Sequence, residues 1–320
     1  MKVLAVIPGS EEGYSMIFCK RQVSSLIENG ITVQSFYLKS RTSLRTLFSE
    51  RKRLKKTIRI FKPDILHCYY GTVTALLGAS VFFPHMVISF LGSDVNRNRH
   101  DPFLRNFLGR SFSNIALLQA RKAICVSSAL KTKLWWGRKK ASVITFGVNT
   151  EFFKPIDKSN ARQMLGWNNN ESVILFSSSD NKVKRLDIAE RVVQKVCETK
   201  PDTRLEVISG QYEESQLPYV INASDCLLVC SDSEGSPTIV KEAMSCNLPV
   251  ISNDVGDVKE RLQGTSSHSI VPQNSDKLAE SIVNIIVQNE RSNGREKIIA
   301  DGISEKQVTE KIIHVYKTCY

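Results

Sequence analysis

The chain has 320 residues, 42% of them hydrophobic and 24% charged, with a formal net charge of +12. Those proportions exclude a disordered chain, and the length favours two cores over one. The charge calls for an anionic partner, which narrows the field to nucleic acid, a membrane surface or an anionic ligand.

The opening MKVLAVIPGS is a short apolar run closed by Pro-Gly, which suits a first strand and not a signal peptide. A first series of strands is expected at 3–7, 32–37, 65–67, 86–90, 123–126 and 142–145, with helix-length segments between them. Residues 41–62, RTSLRTLFSERKRLKKTIRIFK, hold nine Lys/Arg against one Glu. Leu44, Leu47, Leu54, Ile58 and Phe61 form a helical stripe there, so the segment reads as an amphipathic basic helix. Its Arg51, Lys52, Arg53, Lys55 and Lys56 either stay solvated or meet an anionic membrane surface. No aromatic stacking series accompanies the charge, which argues against nucleic acid. The segment TVTALLGASVFFPHMVISFLG (72–92) approaches membrane-span length, but Pro84-His85 divides it into pieces too short for a bilayer of ~30 Å. A helix followed by a strand is expected, in a cytoplasmic protein that does not span the membrane.

FGVNTEFFKPIDKSN (146–160) breaks the periodicity and ends a first domain, 1–150. A second strand series follows at 172–177, 204–209, 225–230, 248–252 and 268–271, within a second domain, 151–303. Ser304-x-x-Gln307 reads as a capping box opening a last helix over 304–320. The rhythm is α/β: two successive doubly wound βαβ domains with parallel sheets. The eight cysteines form no CxxC pair and sit mostly in apolar runs such as DCLLVCS, as small buried hydrophobes in a reducing compartment.

Ligands of open α/β sheets bind beyond the carboxyl ends of the strands. SDSEGSP (231–237) is such a loop. Ser236 reads as an N-cap with Pro237 at the first helical position, leaving the amides of Thr238 and Ile239 to cradle a phosphate. Glu234 stands at the mouth of the loop. Glu242, about one turn past the amides, faces the same crevice and suits the hydroxyl pair of a ribose. A carboxylate beside a diphosphate needs sugar hydroxyls as donors, so the stretch reads as a site for a sugar joined to a nucleoside diphosphate. Spacing alone also allows a plainer reading, in which Glu234 supports a helix start and Glu242 is a solvated helix residue.

EGSPTIVKEAM (234–244) resembles the E-x7-E signature of the retaining glycosyltransferases of family 4, the group 1 glycosyltransferases. YVINASDCLLVCSDSEGSPTIVKEAMSCNLPVISNDVGDVKE (219–260) is similar to that family's donor-site core. FGVNTEFFKP (146–155), ARQMLGW (161–167) and SFLGSDV (89–95) resemble its NGVDTxxFxP, ARxxLG and FHGSDV segments, in the same order. The resemblance implies the GT-B fold, two Rossmann-like domains facing across a cleft. It also implies that the first domain takes the acceptor, the second takes the nucleotide-sugar, and the last helix crosses back onto the first.

Further expectations rest on the same resemblance. In SSSDNKVKRLD (177–187) Lys184 matches the lysine that clamps the diphosphate, whereas Ser178 stands where the family has an arginine; Lys182 or Arg185 could supply that charge. Gly210, Gln211 and Tyr212 are candidate contacts to the base. Gly9, in PGSEEGYSM (8–16), belongs to a loop like the family's diphosphate-reaching glycine loop. Gly92, Ser93 and Asp94 are candidate acceptor contacts, Leu91 replaces a usual histidine, and His67 reads as core or cleft lining. Glu234 would hold and polarise the sugar while Lys184 and the helix-start amides stabilise the leaving diphosphate. The implied activity is retaining transfer from a nucleoside-diphosphate sugar to a hydroxyl acceptor, a lipid-linked glycan of cell-surface polysaccharide assembly, by an enzyme peripheral on the inner face of the membrane. No DxD lies near the site, so neither metal nor cofactor is expected. Two other classes stay open. A nucleotide-sugar epimerase of the same fold is disfavoured by the E-x7-E and GVNTEFFKP segments, and a non-catalytic partner subunit is allowed by Leu91 and Ser178.

Overall fold

The computed structural model describes residues 1–13, 15–39, 44–97, 99–178 and 182–320, with only the backbone of Leu44 and Arg45. Tyr14 of the glycine loop, positions 41–43 of the basic segment and positions 179–181 of the lysine loop lie outside the described residues. Two compact units result, Met1–Gly147 with Glu305–Tyr320, and Val148–Ser304.

The first unit runs β1 (Lys2–Pro8), α1 (Ile17–Glu28), β2 (Thr32–Leu38), α2 (Leu44–Phe61), β3 (Ile65–Tyr69), α3 (Thr72–Ala79), β4 (Met86–Phe90), α4 (Phe103–Gln119), β5 (Lys122–Cys125), α5 (Ser128–Thr132) and β6 (Ala141–Val143). Its six strands are ordered β2-β1-β3-β4-β5-β6, and every pair is parallel. All residues of β3 and β4 are buried. Helices cover both faces of such a sheet, which is why its central strands read as unbroken apolar runs. On one face Val6, Cys68 and Ile88 pack with Leu54 of α2, Ala75 and Leu77 of α3 and Leu117 of α4.

The second unit runs α6 (Lys158–Leu165), β7 (Ser172–Ser177), α7 (Leu186–Cys197), β8 (Thr203–Ile208), α8 (Leu217–Ala223), β9 (Cys226–Val229), α9 (Thr238–Ser245), β10 (Val250–Ser252), α10 (Val258–Leu262), β11 (His268–Ile270), α11 (Ser275–Gln288) and α12 (Gly294–Ala300). Its sheet is ordered β11-β10-β9-β7-β8, again all parallel. Asp157 caps α6 through Asn160 N, 3.0 Å away, and Gly166 closes it at φ 69°. The arginine of ARQMLGW is a buried tie: Arg162 Nε donates to Ala223 O (2.9 Å) and its terminal nitrogen meets Asp225 (3.0 Å).

The last helix, α13 (Glu305–Lys317), belongs to the first unit. Val308, Ile312, Val315 and Tyr316 pack on Val3, Ile65 and Val87 beside Leu26 of α1, covering the second face of the six-stranded sheet. His67 lies in that core with no exposed surface; its ring nitrogens bond Tyr316 Oη (2.7 Å) and Ser89 Oγ (2.8 Å), and burial pushes its pKa down to about 3. All eight cysteines are free thiols, seven of them buried. No helix among the described residues is long and apolar enough to cross a membrane.

Candidate active site

The strand order of the five-stranded sheet reverses between β7 and β9, because β7 leads outward to β8 and the chain then returns past it. A crevice opens at the carboxyl ends of two strands wherever a doubly wound sheet does this. The loops following β7 and β9 carry the two residues of most interest. Lys184 Nζ meets Glu234 Oε1 at 2.6 Å, and the same oxygen accepts from Ser231 Oγ at 2.8 Å. Both side chains keep some contact with solvent, 23% for Lys184 and 13% for Glu234. An ammonium has three donors, so the ion pair leaves Lys184 with capacity for an incoming anion.

The two loops hold each other. Asp232 N donates to Val183 O (2.8 Å), and Asn253 Nδ2 to Ser231 O (2.9 Å). Arg185 adopts a left-handed conformation, φ 62°, just before α7. Its guanidinium reaches Asp187 (2.8 Å) and Asp232 (3.1 Å). The hydrogen bond to Asp187 is the main reason its pKa is raised, and it holds the Asp187 carboxyl down to about 2. Arg185 is thus committed to carboxylates, and the cation that approaches Glu234 is Lys184. Lys182 is exposed in a one-turn 3₁₀ segment, Lys182–Lys184. Ser178 is half-buried, its amide bonded to Ile208 O at 3.0 Å.

The start of α9 differs from the expected cap. Pro237, with φ −66° and ψ 122°, is the N-cap itself and Thr238 the first helical residue. The Ser236 hydroxyl is engaged across the loop: Oγ donates to Asp257 Oδ2 at 2.8 Å and accepts from Lys241 Nζ at 3.1 Å. Arg261 Nε reaches the same carboxylate oxygen at 2.8 Å. Burial pushes Lys241 down to about 8, against the pull of Asp257. This network was not found from sequence, because Asp257 and Arg261 lie in the polar stretch NDVGDVKERLQ (253–263), where single charges do not stand out. Thr238 and Ile239 remain half-buried at the helix start, where amides lack intrahelical partners. Glu242 is buried one turn on, which removes the solvated reading for it. Gly235 is buried below the loop, and Gly256 lies against Glu234: a Cβ built on Gly256 would come within 3.0 Å of the Glu234 Cβ.

Gly210 follows β8 at φ 104°. The two side chains after it are already engaged: Gln211 Oε1 accepts from Ser209 N (2.8 Å), and Tyr212 Oη donates to Glu206 (2.6 Å). A base contact here falls to the exposed Gly210 backbone and the Tyr212 ring.

In the first unit, Gly9 takes φ 108° and its amide bonds Leu38 O at 3.2 Å. Lys20, which the sequence reading did not single out, pins that loop by donating to Glu11 O (2.7 Å) and Gly13 O (2.8 Å). Asp94 corrects an expectation. It has no exposed surface, and its carboxylate accepts the amides of Gly71 (2.8 Å), Gly92 (2.8 Å) and Leu91 (3.1 Å). Gly92 is buried, Ser93 is exposed, and Ser93 Oγ lies 2.7 Å from Tyr70 Oη. Contact with a ligand from this loop therefore falls to Ser93 and Tyr70, while Asp94 shapes the loop.

On α2 the structure separates the five basic residues. Lys52, Lys55 and Lys56 are exposed, joined by Arg59. Arg51 instead donates to Ser80 O at 2.9 Å, and Arg53 turns onto Glu50, Tyr37 O and the face of Phe36. Both arginines are engaged in these contacts, although the Arg53 side chain stays 40% exposed.

Two parallel α/β units with a charged site at the switch point of the second define a GT-B glycosyltransferase fold. Known proteins agree. Residues 207–304 match the family model for glycosyl transferases group 1, and residues 14–127 that for glycosyl transferase 4-like domains. The chain belongs to the group 1, family 4-type glycosyltransferases. It is 25% identical over 69% of its length to a Bacillus subtilis protein described as a teichuronic acid biosynthesis glycosyltransferase, TuaC, and the match spans 60% of that protein. Among solved structures it resembles sucrose-phosphate synthase from Thermosynechococcus elongatus (TM-score 0.80, 16% identity, 99% of this chain and 98% of that one). It also resembles Anabaena HepE in complex with UDP-glucose (TM-score 0.77, 17% identity, 99% and 100%).

Proposed function

We propose that this chain transfers a sugar from a nucleoside-diphosphate sugar to a hydroxyl acceptor with retention at the anomeric carbon. The observation that carries the reading is the Lys184–Glu234 pair, 2.6 Å apart and partly open to solvent at the start of α9. Lys184 and the amides of Thr238 and Ile239 would take the diphosphate, with Glu234 on the sugar hydroxyls and Glu242 on the ribose. In the reaction the bond from the anomeric carbon to the diphosphate oxygen breaks and that carbon bonds the acceptor oxygen. The acceptor proton passes to the departing phosphate, all on one face of the sugar. Positive charge placed where the leaving group gains negative charge is the main catalytic device. No metal is assigned to it.

The UDP-glucose complex of the HepE structure supports a nucleotide-sugar donor, and the described role of TuaC supports an acceptor in cell-surface polysaccharide assembly. A lipid-linked acceptor would place the enzyme at an anionic membrane surface, with Lys52, Lys55, Lys56 and Arg59 toward the headgroups. The test is a thermal-shift screen of UDP-, GDP- and ADP-sugars, followed by product analysis. One nucleotide should stabilise the protein by ~2.7 kcal/mol at about 100 times its Kd, and Lys184→Met should abolish the shift. If no nucleotide-sugar stabilises the chain, the donor site is wrong. Inversion at the anomeric carbon would overturn retention.

A further inference from the structure

The first unit carries a second basic stretch. Residues 97–140 hold eleven Lys/Arg and one acidic residue, Asp101. Within it α4 has its chemistry on the wrong side for a surface helix. Its inner face is partly polar: Ser113 Oγ donates to Asp94 O (2.7 Å) and accepts from Thr72 N (2.8 Å), and Asn114 accepts from Trp135 N (2.9 Å). Its outer face is apolar. Phe103 (70% exposed), Leu104 (65%), Phe107 and Leu108 crowd the first two turns, and Ile115 and Leu118 continue the outer face. A helix that is apolar on its outer side normally has something covering it.

The aromatic rings form one continuous exposed group. Phe103 and Phe107 stack at 6.3 Å, Phe107 meets Trp135 at 6.3 Å, and Trp135 meets Trp136 at 5.7 Å. Cations sit against these rings: the Arg97 guanidinium lies 6.0 Å from Phe103 and that of Arg110 5.8 Å from Trp135. Lys140 donates to the carbonyls of Leu118 and Ala120 at the far end of α4. Helices of parallel βαβ units run against their strands, so Phe103 and Leu104 sit at the carboxyl end of the sheet, the same end as Ser93 and Gly9.

We infer that this face of α4, with Trp135 and Trp136, docks on an anionic phospholipid bilayer, its rings entering the interfacial layer and its arginines meeting lipid phosphates. The inference rests on the membrane part of the proposed function and adds to it a specific surface. Tryptophan and phenylalanine beside arginine suit a boundary that is apolar below and phosphate-rich above. Charge complementarity selects an anionic layer, since Arg97 and Arg110 lie against the exposed rings and the stretch holds eleven cations against one carboxylate. α2, packed on the same face of the sheet, would supply long-range attraction through its lysines, while α4 supplies insertion.

Vesicles of phosphatidylcholine with phosphatidylglycerol, with and without brominated acyl chains, test this on the full chain carrying Trp167→Phe, so that Trp135 and Trp136 alone report. Fluorescence should shift to the blue and be quenched by the brominated chains. Sedimentation of the unaltered chain provides a second readout. Phe103→Ser with Phe107→Ser should weaken vesicle binding by at least about tenfold at high salt as well as low. Lys52→Gln, Lys55→Gln and Lys56→Gln together should weaken it mainly at low salt. If the protein sediments with vesicles but the two tryptophans are not quenched, or if the phenylalanine variant binds as before, α4 is not the docking face while the membrane reading stands. If nothing sediments, both fail. A concentration-dependent dimer without lipid, abolished by the phenylalanine changes, would assign the face to a second copy and overturn the inference. Donor-induced thermal stabilisation, measured alongside, reports on the transferase reading separately.

Discussion

Two loops at the carboxyl ends of parallel strands each carry a carboxylate, and the two have opposite fates. After β4, Asp94 is wrapped by three backbone amides and sealed from solvent. After β9, Glu234 bonds the ammonium of Lys184 and the hydroxyl of Ser231, and its side chain stays 13% exposed at the crevice. Burial raises the Asp94 pKa while the amides pull it down, the balance of a group whose charge is consumed inside the protein. The contrast teaches how to sort acidic residues in such folds. A carboxylate whose partners are backbone amides builds the loop, and one whose partners are side chains at a crevice can exchange them for a ligand.

The largest expected effect breaks the pair at Glu234. Under the proposed reaction, Lys184→Met lowers kcat/KM by about 10³-fold, or ~4 kcal/mol. Melting should move little, since a partly exposed ion pair contributes only about 1 kcal/mol. A variant that loses stability in proportion to activity would place Lys184 with Asp94, among the builders.

The converse experiment is Asp94→Asn. An amide nitrogen would face backbone donors that now meet a carboxylate oxygen, and the fold should lose about 3 kcal/mol. Under the proposed function donor affinity rests on Lys184 and the α9 start in the second unit, so it should not change. Denaturant unfolding paired with nucleotide-sugar titration checks both halves, and an unchanged midpoint would break the comparison.

Much of this was legible in the sequence and some was not, for definite reasons. All eleven strands overlap the segments expected from the sequence; the central ones, such as β3 and β4, are buried on both faces and leave an unbroken apolar signal. Lys184 and Glu234, fifty positions apart, were each marked by a local motif, and the fold brings them within 2.6 Å. The helix start expected at Pro237 falls one residue later, at Thr238, and the bond from Ser236 to Asp257 spans twenty-one positions, which no local motif announces. The bonds of Arg51 to Ser80 O and of Arg53 to Tyr37 O were not legible, because they join residues sixteen or more positions apart. The apolar outer face of α4 was missed for a simpler reason. Its composition reads as core, and only the structure reveals which side is left uncovered.

A smaller effect sharpens the comparison from beneath the site. Lys241 is buried and titrates near pH 8 in the folded chain, below an ordinary lysine. The unfolded chain therefore binds more protons between about pH 8 and 10.5, and stability gains from this residue as pH rises through that window. Lys241→Met removes the gain. Between pH 8 and 10 the wild type should gain on the order of 2 kcal/mol relative to the variant. Parallel pH dependences in guanidinium unfolding would show that Lys241 remains an ordinary solvated ammonium.

The smallest expected effect is at Gly256, and it asks whether the Glu234 carboxylate is itself held in place. Gly256 has φ 62°, a region where an alanine costs ~1 kcal/mol. Its new Cβ would lie 3.0 Å from the Glu234 Cβ and 3.2 Å from Gly235 O, so the glutamate loop must give by a few tenths of an ångström. Lys184 and Ser231 both reach one oxygen of Glu234, so such a shift lengthens both bonds together. Gly256→Ala should therefore cost about 1 kcal/mol of stability yet reduce turnover by roughly tenfold, since small displacements of positioned groups weigh more on rate than on folding. Asparagine tolerates this backbone conformation better than alanine but carries the same Cβ. Gly256→Asn should recover part of the stability and none of the turnover. If turnover recovers with stability, the glycine serves only its own backbone, and Glu234 needs no support from below.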